Sequence, residues 1–132
     1  CRKELQKIRE TIGTVTEEPG VFFRIPGGEY NNEVLRTIYA CGSYPVAWSV
    51  DSMDWKEYEA GELVRQLLQS CTIRDGEILR FHGEGENTGE MVKLLHPRLK
   101  EEGYEAVTVS QMVYKDRYRM TTDGRQIPEK SK

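Results

Sequence analysis

Strand-like and helix-like patterns alternate along the 132 residues, and glycine or proline turns punctuate them, so the sequence predicts an α/β fold with a parallel sheet. Short apolar runs mark the strands at residues 21–24, 46–50, 77–82 and 105–109. Stripes at helical spacing lie between them: Val34, Leu35, Ile38 and Tyr39, then Leu63, Val64, Leu67 and Leu68, then Met91, Val92, Leu94, Leu95 and Leu99. One domain with a single core fits this length. Hydrophobic residues make up 37% and charged residues 31%, which is polar for such a domain but far from the composition of a disordered chain.

The first element, residues 2–12, carries Leu5, Ile8 and Ile12 on one face among Lys, Arg and Glu, and is expected to be an amphipathic helix. It starts without a leading loop, so the chain is expected to begin inside a larger fold. Residues 14–20 read as a polar loop closed by Pro19-Gly20, and Arg24 ends the strand that follows. Pro26-Gly27-Gly28 is a turn whose glycines permit positive φ, either for a ligand or for chain reversal. The helix at 32–41 takes Asn31 or Asn32 as its cap and stops at Gly42. A second helix covers 59–71, and Asp75-Gly76 turns the chain into the strand through His82. Asn87 and Glu90 have capping-box spacing at the head of the longest helix, with Pro97 expected to kink it and Gly103 to end it. A short helix at 110–114 closes the domain at residues 1–114, and 115–132 reads as a polar carboxyl-terminal tail.

A net charge of -3 offers no broad basic field, so nucleic acid is excluded as a partner. No apolar run approaches the roughly 20 residues needed to span a bilayer, and no signal segment is present in this chain. Cys1, Cys41 and Cys71 form an odd set without Cys-x-x-Cys spacing, which points to packed free thiols and away from a disulfide framework or a zinc knuckle.

Chemistry concentrates in Trp48-Ser49-Val50-Asp51-Ser52-Met53-Asp54-Trp55, where two carboxylates and an indole follow an apolar run. In α/β folds the groups just past the carboxyl ends of strands face the ligand crevice, which would put Asp51 and Asp54 at its mouth. The alternative is that Asp51 caps the next element and Asp54 is a solvated loop acid. Arg24 and His82 also stand at strand ends, so Arg24, Asp54 and His82 are expected on one rim. A histidine beside a carboxylate suits a general acid, and Trp55 offers an apolar wall. His96, in a leucine-lined helix, reads as a surface histidine.

These stretches carry a resemblance. Phe23-Arg24-Ile25-Pro26-Gly27-Gly28-Glu29-Tyr30-Asn31, the Trp48 to Trp55 stretch, and Ile78-Leu79-Arg80-Phe81-His82 followed by Asn87-Thr88 resemble, in order and spacing, the third, fourth and fifth motifs of the polysaccharide deacetylases with a NodB homology domain. The resemblance runs from about Arg2 to Val113 and includes Gly103-Tyr104-Glu105 before Val107-Thr108-Val109. It implies the later strands and helices of a distorted (β/α) barrel, and removal of N- or O-acetyl groups from chitin, peptidoglycan or xylan with a divalent metal of zinc or cobalt type. Carried over, it implies that Arg24 orients a catalytic base, that the Gly27 backbone helps hold the oxyanion, that Asp54 tunes His82 as the acid, and that Trp55 walls the acetyl pocket. Asp51 and Arg80 would line the substrate.

The first two family motifs, which supply the base and the metal ligands, would lie upstream of Cys1 and are absent from this chain. A metal is therefore expected in an intact parent and none in the chain alone. Arg80 stands where the family usually has Leu, and Gly83 where it usually has Asp, which puts acetyl specificity in doubt. The expected partners are an acetylated polysaccharide or oligosaccharide, and either the missing amino-terminal half or a second copy of the chain. Family resemblance implies an extracellular or cell-envelope location. Two alternatives stand beside the enzyme: a non-catalytic carbohydrate-binding relative, and an isolated half-barrel that self-assembles.

Overall fold

A computed structural model describes residues 2–16, 21–83 and 85–129, and its described chain falls into two compact units. The Pro19-Gly20 turn of the expected loop lies outside the described residues.

In the first unit α1 (Arg2–Thr16) runs four residues past the expected end of its apolar stripe. It buries Leu5 and packs on α2 (Asn32–Ala40), whose Ile38 is fully buried. Asn31 caps α2 as expected, its side-chain oxygen accepting from Val34 N at 2.9 Å. Two parallel pairs carry the strands: β1 (Phe22–Arg24) beside β2 (Tyr44–Val46), and β3 (Val50–Asp51) beside β4 (Leu79–Arg80). The parallel pairing agrees with the sequence, but the strand expected at 46–50 is interrupted. Ser49 N and Val50 N both donate to Ile78 O, and Ser49 Oγ accepts from Ile78 N, so this stretch is held by one residue instead of a continuous ladder.

The second unit is built on α3 (Ala60–Ser70) packed against α4 (Thr88–Glu101). Leu63, Val64 and Leu67 from α3 and Met91 and Leu95 from α4 form its core. Burying each such side chain contributes about 1.5–3 kcal/mol. Two expectations in this unit are corrected. Asn87 makes no cap bond; its amide donates to Lys56 O and Tyr58 O at 3.4 and 2.9 Å, so it ties the loop before α3. Residues 105–109 form no strand, because no neighbouring strand receives their backbone groups among the described residues.

After the short helix α5 (Val109–Met112), the run expected to be a polar tail carries the antiparallel hairpin of β5 (Tyr118–Met120) and β6 (Gln126–Pro128). Gln126 fastens it by accepting from Tyr114 N and donating to Tyr114 O. Cys41 and Cys71 are free, part-buried thiols, and His96 is exposed on α4. No described helix is long and apolar enough to cross a membrane.

Candidate active site

Asp54 is the centre of the second unit's polar cluster. Its side chain has no exposed surface, which rules out a solvated loop acid. Met53, just before it, takes φ 55, a left-handed conformation uncommon for a residue with a Cβ. That turn buries Ser52 and Asp54 on either side of Met53 while Met53 itself and Trp55 stay exposed. Gly85 closes the other side, where a Cβ would come within 2.6 Å of the Asp54 carbonyl oxygen, so only glycine fits.

Four donor groups converge on the carboxylate. His82 N reaches both oxygens at 3.1 and 3.0 Å, His82 Nδ1 lies 2.6 Å from Oδ1, Ser52 Oγ donates to Oδ1 at 3.1 Å, and Thr88 Oγ1 donates to Oδ2. Burial works against the Asp54 charge, but the bonds from Thr88, from the ring and backbone of His82, and from Ser52 outweigh it and lower the carboxyl from 3.8 to about 2. An ionised Asp54 has no proton to give, so His82 Nδ1 is the donor and Nε2 is the nitrogen left to carry or release the exchangeable proton. Trp55 meets the His82 ring edge-on at 6.4 Å. The same bond from His82 N explains why the strand expected at 77–82 is only Leu79–Arg80: the backbone turns out of the ladder to reach Asp54.

A carboxyl whose folded pKa lies below its unfolded value stabilises the fold above the unfolded value, and that contribution is lost as pH falls through the folded one. Asp54 should therefore contribute about 2 kcal/mol above pH ~4, declining toward pH 2. Carbon-detected NMR should find the Asp54 Cγ titrating near the lower figure. A titration at the ordinary aspartate value would refute this account of the cluster.

The first unit holds a second group. Arg80 lies opposite Asp51 in the β3–β4 register, with Nη1 3.4 Å from Asp51 Oδ2 and its guanidinium 4.0 Å from the Trp48 ring centroid. Arg80 Nε is buried with no hydrogen-bond partner among the described residues. Gly28 supports Trp48 from below: it has φ 78, and a Cβ there would come within 2.7 Å of the indole. Asp51 is thus a strand residue paired with Arg80 and not a helix cap. Arg24 ends β1 in an exposed position, and Gly27 takes φ 72 in the turn. Arg24, Gly27, Asp51 and Arg80 belong to the first unit, and Asp54, Trp55 and His82 to the second.

Neither Ser52 nor Thr88 carries a sequence signal of its role: Ser52 reads as a loop hydroxyl, and a threonine near a helix start reads equally well as a cap. Among the described residues no group of three His, Cys, Asp or Glu side chains is gathered as a metal site. Both Asp54 oxygens and His82 Nδ1 are engaged within the cluster, so these atoms are not open to a divalent cation.

Comparison with known proteins bears on this geometry. No family model matches the chain. The peptidoglycan-N-acetylglucosamine deacetylase PgdA of Listeria monocytogenes is 32% identical over 109 residues, covering 80% of this chain and 22% of that protein. The chain belongs to the polysaccharide deacetylase family. A peptidoglycan-N-acetylglucosamine deacetylase of Bacillus cereus is 32% identical over 102 residues, covering 74% of this chain and 46% of that protein. Among solved structures, a CE4 family pseudoenzyme from Bacillus anthracis superposes with a TM-score of 0.76 at 27% identity, covering 84% of this chain and 38% of the other. The chain thus spans less than half the length of these relatives, and the match lies in their carboxyl-terminal part. Its parallel strand–helix units are a part of the NodB-type deacetylase fold.

Proposed function

We propose that this chain supplies the acid side of a polysaccharide deacetylase that hydrolyses N- or O-acetyl groups on a carbohydrate polymer of the chitin, peptidoglycan or xylan class. The observation that carries the proposal is the buried, ionised Asp54 held on His82 Nδ1, which confines the transferable proton to Nε2. As the acyl carbon–heteroatom bond breaks, the imidazolium gives that proton to the departing amine or alkoxide. Trp55 walls the acetyl group, while Arg24 orients the base and the Gly27 backbone supports the oxyanion. The base and a divalent metal of zinc or cobalt type would come from segments of the relatives that this chain does not span. The envelope or the extracellular space is the matching location. The test is acetate release from acetylated chito-oligosaccharide, peptidoglycan and xylan by a protein carrying this chain together with those segments. Release there and none from the chain alone supports the proposal; release from neither refutes it.

A second reading, a non-catalytic carbohydrate binder, is favoured by the likeness to the Bacillus anthracis pseudoenzyme and by Arg80 in place of the usual Leu. Retention of the polymer without acetate release would select it.

Self-association is a further expectation. Ile8, Ile12 and Val15 leave an apolar stripe of α1 exposed, Val15 by 79%. A second copy of the chain covering it is worth about 25 cal/mol per Å². Light scattering at low micromolar concentration should find dimers or larger species, and a monodisperse monomer would overturn the expectation.

A further inference from the structure

We propose that Thr88 is a positioning residue for the proton-carrying imidazole: its hydroxyl fixes one oxygen of Asp54 so that the other stays on His82 Nδ1. Thr88 is the first residue of α4 and lies 34 positions from Asp54 along the chain, so the bond joins the head of a helix to the loop after β3. The carboxylate could otherwise rotate about its last torsion, which is broad and roughly two-fold. Ser52 cannot prevent that by itself, since it approaches from the neighbouring turn and touches only Oδ1, the oxygen that His82 also uses. Thr88 is the one side chain bonded to Oδ2 among the described residues, and His82 N spans both oxygens from the backbone. The helix itself is held in place independently of this bond. Asn87 ties the preceding residue to Lys56 O and Tyr58 O, and Met91 and Leu95 are buried in the core. The hydroxyl is therefore presented from a rigid element, and its removal alters the carboxylate without releasing the helix.

The consequence for acid catalysis rests on the deacetylase reading, while the tautomer does not. Imidazole 15N shifts of the chain, measured where His82 is neutral, should show the Nδ1–H form in the parent sequence. Thr88→Ser restores the hydroxyl and should keep that form. Thr88→Val should change the tautomer ratio roughly tenfold toward Nε2–H, the size expected for losing one bond to a charged group. A role limited to holding the fold would lower the melting temperature and leave the ratio alone. If Thr88→Val does not fold, Thr88→Ala takes its place in the same comparison. An unchanged Nδ1–H population in whichever hydroxyl-free variant folds overturns the inference and leaves the deacetylase reading standing. Failure to release acetate overturns that reading and leaves the tautomer result intact.

Discussion

Asp54→Ala is expected to lower the stability of the fold by about 3–5 kcal/mol, because it removes a buried acceptor shared by several donors, each costing about 1–3 kcal/mol when left unsatisfied. The lost carboxylate is the acceptor for His82 N, His82 Nδ1, Ser52 Oγ and Thr88 Oγ1, and no water-exposed surface is available at its position to take over. A buried donor without an acceptor costs about 1–3 kcal/mol, so even partial relaxation of these groups leaves a large penalty. Set against a stability of about 5–15 kcal/mol for an ordinary domain, the change approaches unfolding. Asp54→Asn keeps the volume but turns an amide donor toward other donors, and should lose a comparable amount. Urea unfolding followed by circular dichroism measures both. A shift in stability under about 1 kcal/mol for the alanine variant would mean that the cluster is solvated and that Asp54 does not organise it.

Much of the fold is legible in the sequence because helical stripes are local information. Ile38 in α2, Leu63 and Leu67 in α3, and Met91 and Leu95 in α4 all fall on the predicted faces and are buried. Strand limits are less legible, since a strand ends where its partner does. Phe81 and His82 carry a strand-like pattern, yet the His82 amide is taken by a side chain 28 residues away. Residues 105–109 are apolar enough for a strand but find no neighbouring strand among the described residues, and Val109 instead opens α5. The β5–β6 hairpin is poorly legible because its segment is polar overall. Asp123-Gly124 between Tyr118 and Ile127 is its available signal, a turn dipeptide flanked by strand-forming residues. At the site, the pairing of Asp54 with His82 is what the family resemblance implies, whereas the burial of Asp54 and the bond from Thr88 depend on how α4 is seated, which no spacing encodes.

In a protein that carries this chain with the remaining deacetylase segments, His82→Asn is expected to lower kcat on an acetamide substrate by about 10²–10⁴-fold, the usual contribution of a general acid. Asparagine sets an amide donor near the position of Nδ1, so the bond to Asp54 Oδ1 can persist, but it has no titrating nitrogen in place of Nε2. Stability should consequently stay within about 1 kcal/mol of the parent, in contrast to the Asp54 variants. KM should change little, because the proton is needed only as the leaving group departs. The choice of substrate makes the assignment specific. An amine is a poor leaving group without protonation, whereas the phenolate of an aryl acetate leaves unaided, so the defect on the aryl ester should shrink toward unity. Equal losses on both substrates would assign His82 to binding or to positioning. Full activity on the acetamide would remove it from the proton transfer altogether, and with it the role of Asp54 in holding the Nδ1 proton.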